Sequence, residues 1–209
     1  MPLPGTITDP ESPRPAVYPD ETPETSVEQR ICLACGFCCD GTLFDSAIVE
    51  PGERDRLPVK IAARTGISGQ QEYFTLPCPY FQGKCTIYEK HKAEICSGFR
   101  CRLLKDVAAN ELTSAEAMQI IHMAGTCRNE IIKAFQEVWQ VTEELSFRLI
   151  LDRLNGAELN DQTEPRRRAL RLLIARGNIL DTLLTRYFKP KQEFNRMKAS
   201  VPVCSDFNG

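Results

Sequence analysis

Eight of the ten cysteines lie between residues 32 and 101, and thiolate sulfur is a ligand for both zinc and iron. They occur in three motifs, CLACGFCC at 32–39, CPYFQGKC at 78–85 and CSGFRC at 96–101. The short gaps let the backbone curl so that successive sulfurs converge on one centre. We therefore predict that metal is bound by the thiolates of Cys32, Cys35, Cys38, Cys39, Cys78, Cys85, Cys96 and Cys101.

Glycine and proline within these motifs predict turns between the ligands. Gly36 can adopt positive φ without steric cost, which would aim nearby backbone N–H groups at a sulfur. Pro79 and Gly83 predict a short turn within the second motif, and Gly98 predicts another within the third. Each pair of cysteines would then be brought together by its own turn.

The adjacent Cys38 and Cys39 leave the number of metal centres open. Two neighbouring residues are not easily directed at one tetrahedral ion, so they serve two centres or one of them is not a direct ligand. Two zinc sites of four cysteines fit, as does a 4Fe–4S cluster held by the first three cysteines and the remote Cys78 before Pro79. We favour iron, as an ion or an Fe–S cluster, over Zn²⁺ because compact three-cysteine runs suit a cubane face.

The composition is that of an ordinary globular protein, with 42% apolar and 26% charged residues and a net charge of −2. No apolar run reaches the roughly 18 residues that suggest a membrane span, and the N-terminus resembles no secretory leader. We therefore expect a soluble cytoplasmic protein without membrane contact. A reducing compartment favours metal binding over the alternative of structural disulfides or buried thiols.

The chain divides by composition into three parts. Residues 1–29 form a proline-rich acidic segment, which predicts a flexible tail. Residues 30–105 contain the cysteines and many turn-forming residues, which predict a small irregular metal-bound domain. Residues 106–209 are predicted to be a helical extension that offers a surface to a protein partner. The expected fold is mainly α, and α+β at most.

The extension begins with a helix N-terminal pattern. Thr113 and Glu116 form a capping box, and apolar residues recur with a helical period up to Leu149, which fits one long helix or two successive ones. Asn155-Gly156 predicts a turn, and Pro165 suits the first turn of a further helix. We expect these helical segments to pack antiparallel.

Several other residues have more ordinary roles than their types suggest. His91 could replace a thiolate but lies in a polar Lys-His-Lys turn, and His122 is expected to be structural. Cys127 falls on the apolar stripe of its helix, where cysteine usually acts as a small buried hydrophobe. Cys204 is expected to be an exposed thiol. The run 166–168 of three arginines lies in a segment, 164–198, with ten bases and three acids, and is expected to be a solvated basic surface.

The cysteine motifs resemble those of the YkgJ-type cysteine-cluster proteins, also called the CxxCxxCC family, which is described as zinc- or iron-chelating. The resemblance rests on CLACGFCCDGTLF at 32–44 and LPCPYFQGKCTIYEKHKAEICSGFRC at 76–101, about a third of the chain. It implies that the same eight cysteines chelate the metal. His91 stands where relatives often have arginine followed by proline.

Two alternatives belong to other functional classes. The cysteine domain is also similar to that of flagellin lysine N-methylases, which would imply a protein methyltransferase, although the chain has no glycine-rich loop typical of a nucleotide-like cofactor site. The second alternative is a zinc-ribbon-like module that binds nucleic acid or protein. We do not expect nucleic-acid binding, because the pI is about 5.8 and no base-stacking aromatic motif accompanies the basic residues.

Overall fold

The computed structural model describes residues 26–143, 145–156 and 164–189. Most of these residues are helical, and a three-stranded antiparallel sheet in the order β1-β3-β2 lies between α1 and α3 along the chain. The elements are α1 (Val27–Cys35), β1 (Ser46–Val49), α2 (Val59–Ala62), β2 (Thr65–Ser68), β3 (Gln71–Thr75), α3 (Glu94–Gly98), α4 (Arg102–Ala108), α5 (Ser114–Trp139), α6 (Phe147–Gly156) and α7 (Glu164–Tyr187). The prediction of a mainly α chain with a limited β part is confirmed.

Helix α1 is defined by local signals at both ends. The Ser26 hydroxyl accepts a hydrogen bond from the Gln29 N–H at 3.2 Å, and the Gln29 side chain accepts one from the Ser26 N–H at 2.8 Å. The helix ends at Gly36, whose φ of 65° is the left-handed conformation predicted for it. Helix α1 thus begins inside the range 1–29 assigned to the tail, of which residues 1–25 lie outside the described residues.

The sheet leads the chain into the second cysteine motif. Strand β3 is central and pairs with β1 and β2, so that Phe74 lies opposite Ala47 and is only 1% exposed. The N–H of Leu76 then donates to the Asp45 carbonyl at 2.9 Å, which continues this pairing beyond the strand. Cys78 therefore emerges directly from the anchored end of the sheet.

Helix α5 begins at the predicted capping box. The Thr113 hydroxyl accepts from the Glu116 N–H at 3.2 Å, and the Glu116 carboxylate accepts from the Thr113 N–H at 2.8 Å. The box satisfies two backbone donors that have no acceptor within the helix. The inward face then follows a helical period through Ala117, Ile121, Ala124, Ile131 and Phe135.

Replacement of Thr113 by alanine should lower the free energy of unfolding by about 1 kcal/mol, because the cap is lost. Thr113→Ser keeps the hydroxyl and should stay close to wild type in urea unfolding. Hydrogen bonds from Thr113 lower the pKa of Glu116 in the folded protein. The ionised Glu116 carboxylate therefore stabilises the fold above its unfolded pKa, and this stabilisation is lost as pH falls through the folded pKa. The difference between wild type and Thr113→Ala should therefore shrink in acid. Equal stabilities at neutral pH would contradict the role of this cap.

The apolar pattern after Thr113 forms two helices, α5 and α6. Leu149, which the pattern places on the core face, is 41% exposed. The turn predicted at Asn155-Gly156 is wrong, because both residues belong to the last turn of α6, where a helix tolerates such residues. Residues 157–163 lie outside the described residues. Pro165 is in the first turn of α7, as predicted.

Two groups of buried apolar side chains stabilise the fold. The helical core combines α1, the following loop and α4–α7: Ile31, Phe37, Leu43, Phe44, Cys101, Leu103, Leu104, Ala117, Ile121, Ala124, Ile131, Phe135, Leu145, Phe147, Ile150, Leu154, Leu170, Leu173, Leu180, Leu184 and Phe188. The sheet-side cluster contains Ala47, Val49, Leu57, Ile61, Phe74, Ile87, Ala93 and Ile95. Leu76 and Phe99 pack against both. No helix in the described ranges is long and apolar enough to cross a membrane.

Candidate metal centre

The eight predicted ligands come from four separate regions of the chain. These are helix α1 with Cys32 and Cys35, the turns after it with Cys38 and Cys39, the loop between β3 and α3 with Cys78 and Cys85, and the α3–α4 region with Cys96 and Cys101. Helix α1 and helix α3 therefore present three cysteines from regular structure. The domain predicted to be irregular at residues 30–105 is therefore helical at these three cysteines.

The turns predicted from glycine are found at two of three motifs. Gly36 and Gly83 have positive φ values of 65° and 71°. Gly98 is instead the last residue of α3, so the turn predicted in the third motif is wrong. A weak helix former such as glycine can end a short helix as readily as it forms a turn.

Six of the cysteines line a cavity of about 90 Å³ against the sheet, here called the sheet-side cavity. Its apolar walls come from the sheet-side cluster, including Ile61 and Phe74. Tyr88 and Lys92 also line it. The cysteines are Cys32, Cys38, Cys39, Cys78, Cys85 and Cys96.

Five cysteines line a second cavity of about 40 Å³, here called the helix-side cavity, whose other walls are residues of the helical core such as Phe37 and Phe188. The five are Cys32, Cys35, Cys38, Cys39 and Cys101. Cys38 and Cys39 line both cavities, so their segment lies where the two meet. All eight predicted ligands therefore border one or both of two neighbouring cavities.

Backbone contacts join the first motif to the second. The Cys78 N–H donates to the Cys39 carbonyl at 2.7 Å, which fixes these two cysteines side by side. Gly36 lies so close to Phe81 that an added Cβ would be 2.6 Å from its ring. A side chain at residue 36 would therefore both clash and strain the left-handed backbone.

Burial and neighbouring sulfurs raise the pKa of the Cys38 and Cys39 thiols, which border both cavities. The pKa of Cys39 is raised by burial and then by the thiols of Cys96, Cys78 and Cys85. The pKa of Cys38 is raised by burial and then by Cys101 and Cys35. Without a cation the thiols therefore stay protonated, and a bound metal reverses this balance because it favours thiolate.

Backbone N–H groups oppose this rise at three of the sulfurs. Burial raises the pKa of Cys35, and the N–H of Phe37 partly lowers it again. At Cys101, burial raises the pKa to about 11, although a hydrogen bond from the N–H of Leu104 lowers it in part. Burial also raises the pKa of Cys78, and a hydrogen bond from the N–H of Tyr80 partly lowers it. Donors of this kind favour the thiolate form that a metal requires.

A lysine supplies positive charge at the sheet-side cavity. The Lys92 ammonium lies 3.7 Å from the Tyr88 ring centroid and donates to the Tyr88 carbonyl at 3.1 Å. Reduced hydration and nearby thiols raise the pKa of Cys96 to about 12, and Lys92 acts against that rise. Lys92 was not among the predicted site residues, and its only signal in the sequence is its position among the cysteines.

Two arginines attach the loop after Cys39 to the helices. Arg128 of α5 forms an ion pair with Asp40, largely shielded from solvent, and donates to the Thr42 hydroxyl at 3.2 Å. Arg148 of α6 donates to the carbonyl oxygens of Thr42 and Leu43 at 3.2 and 3.0 Å. These contacts hold the first motif against the helical core.

In residues 26–143, 145–156 and 164–189, no three side chains of His, Cys, Asp or Glu stand close enough together to form a metal-binding group. The nine cysteines in these ranges are free thiols. The structure thus gathers the predicted ligands along shared cavity walls, and their metal-binding role stays a prediction.

The other candidate residues that the structure describes line neither of the two cavities. His91 and His122 are exposed, and Cys127 is partly buried against the helical core in agreement with its predicted packing role. The three-arginine run at 166–168 lies in the first turns of α7, where Arg167 pairs with Glu164 at 2.7 Å. Cys204 lies outside the described residues.

Comparison with known proteins adds no relative. No family model matches the chain, and no similar protein was found among curated proteins or among solved structures. The resemblance of its cysteine motifs to the CxxCxxCC family therefore stays a prediction.

Proposed function

We propose that the chain is a metal-binding protein that holds iron, as an ion or an Fe–S cluster, in preference to zinc. One observation carries the proposal: eight thiols from four regions border two adjoining cavities. A single cysteine can pack as a small hydrophobe, but eight clustered thiols, two of them exposed, match the donor set of a thiophilic metal. The proposed ligands are Cys32, Cys35, Cys38, Cys39, Cys78, Cys85, Cys96 and Cys101.

The donor set fits a thiophilic metal. Thiolate sulfur is the preferred ligand of zinc, copper(I) and Fe–S clusters, and most of the other residues that line the two cavities are apolar. When bound, the metal would supply a cross-link between the four regions. Binding would draw the sulfurs inward from the cavity walls, while the backbone N–H of Phe37, Tyr80 and Leu104 and the ammonium of Lys92 offset the negative charge of the thiolates.

The test is the metal content of protein purified without oxygen, measured by element analysis. We expect iron and a brown colour that bleaches on reduction. Zinc in place of iron would overturn the preference for iron and leave the eight-cysteine site intact. Protein that carries no metal, and takes up neither iron nor zinc after reduction, would overturn the proposal.

Cys35→Ser and Cys78→Ser should each lose at least about half of the bound metal, because serine oxygen is a poor ligand for a thiophilic ion. Cys127→Ser is the matched control, since Cys127 borders neither cavity and should retain wild-type metal content. The measurement is metal per folded chain, with far-UV circular dichroism to confirm folding. Equal metal content in all three variants would contradict the ligand set.

A further inference from the structure

We propose that the eight cysteines form two separate centres of four sulfurs each, divided between the chain neighbours Cys38 and Cys39. The sheet-side centre is Cys39, Cys78, Cys85 and Cys96, and the helix-side centre is Cys32, Cys35, Cys38 and Cys101. Each set has four cysteines, which is the number of ligands that one tetrahedral thiophilic ion or one Fe–S cluster takes. This inference rests on the proposed function and specifies how that site is built.

The cavities separate most of the residues. Cys78, Cys85 and Cys96 line only the sheet-side cavity, and Cys35 and Cys101 line only the helix-side cavity. These two sets have different surroundings, the sheet-side cluster and the helical core. A single centre would have to take ligands from both cavities across the segment that lies between them.

Cys39 belongs with the sheet-side set. Its carbonyl accepts the Cys78 N–H at 2.7 Å, which ties it to the second motif. The thiols whose proximity raises the pKa of Cys39 most are Cys96, Cys78 and Cys85, and all three line the sheet-side cavity alone. This makes a complete set of four on the sheet side.

Cys38 belongs with the helix-side set. Its side chain packs against the helical core, as that of Cys35 does, whereas Cys78 and Cys85 pack against the sheet-side cluster. The adjacent residues Cys38 and Cys39 thus have different neighbours. This resolves the difficulty of directing two consecutive cysteines at one tetrahedral ion.

Cys32 completes the helix-side set. It lines both cavities and also interacts with Cys85. However, it lies one turn before Cys35 on helix α1, and residues three apart share a helix face. Cys35, Cys38 and Cys101 each have Cys32 among their neighbouring thiols, as does Cys39, and the sheet-side set already has four members without Cys32.

Titration of the reduced, metal-free full chain with Co²⁺ tests the number of centres. We expect two equivalents to bind, each with the intense visible bands of tetrahedral thiolate cobalt. A single equivalent would overturn the two-centre proposal while leaving metal binding intact. No binding of Co²⁺, together with no metal in the purified protein, would overturn the proposed function itself.

Pairs of substitutions test the partition. Cys39→Ser combined with Cys96→Ser removes two ligands from one centre, so this variant should still bind one Co²⁺. Cys96→Ser combined with Cys101→Ser removes one ligand from each centre, so this variant should bind none tightly. Both variants lose two sulfurs and are matched in that respect. The reverse pattern, or equal metal content in the two, would overturn the partition.

A measurement on the unmodified chain covers the case in which a variant does not fold. Protein loaded with one equivalent of Co²⁺ is treated with iodoacetamide, and the alkylated cysteines are identified by mass spectrometry. In each molecule, one complete set of four cysteines should be protected from alkylation. The protected set should be either Cys39, Cys78, Cys85 and Cys96 or Cys32, Cys35, Cys38 and Cys101. Molecules protected at a mixture of the two sets would overturn the proposed division.

Discussion

Removal of the metal by a chelator under reducing conditions should expose residues 31–105 to hydrogen exchange before helices α5 and α7. Amide protection in this segment should fall by more than about tenfold, with the largest loss between residues 46 and 99. The sheet-side cluster has only eight buried apolar residues, against twenty-one in the helical core. Such a small cluster with short strands needs a cross-link to remain closed.

Helices α5 and α7 serve as the internal control for this experiment. Their buried faces belong to the helical core, which contains Ile131, Leu170 and Leu180 at 0% exposure. Their amides should keep most of their protection. Unchanged exchange throughout 31–105 after complete metal removal would show that the metal has no structural role.

Local signals in the sequence predicted the parts of the fold that depend on neighbouring residues. The capping box of Thr113 and Glu116 spans three residues, and the left-handed Gly36 follows from its lack of a side chain. The box of Ser26 and Gln29 was equally readable, but the proline-rich composition before it obscured the start of α1. Composition averaged over a long segment is therefore a poor guide to its last few residues.

Contacts between distant residues were not predictable in the same way. Arg128 and Asp40 are 88 residues apart, and nothing near either residue indicates the other. The same holds for Arg148 and the carbonyl of Thr42. These contacts depend on how α5 and α6 pack, which periodicity alone does not specify.

The candidate site was predicted as a set of residues but not as an arrangement. Cysteine spacing selected the eight thiols because metal ligands cluster in sequence. The proposed division depends on which cavity each thiol lines, and this follows from Cys78 leaving the end of β3 and from Cys101 preceding α4. Whether Cys38 and Cys39 serve one centre or two was therefore open from the sequence.

Replacement of Phe37 by alanine should lower the free energy of unfolding by about 3–5 kcal/mol, the range for truncating a buried aromatic residue. Phe37 is 2% exposed, and its ring centroid is 5.2 Å from that of Phe188. The Arg128 guanidinium carbon lies 5.2 Å from the same ring, and Gly125 of α5 faces its edge. Truncation would leave a cavity where α1, α5 and the end of α7 meet.

Urea unfolding at fixed metal content measures this effect, and Phe37→Leu is the control because it retains much of the apolar volume. Phe37→Leu should be clearly more stable than Phe37→Ala. Because Phe37 lies between Cys35 and Cys38, the truncation should also weaken the helix-side centre and spare the sheet-side centre. A loss in Phe37→Ala below about 1 kcal/mol would contradict its packing role. Equal weakening of both centres would instead mean that the two cavities respond as one unit.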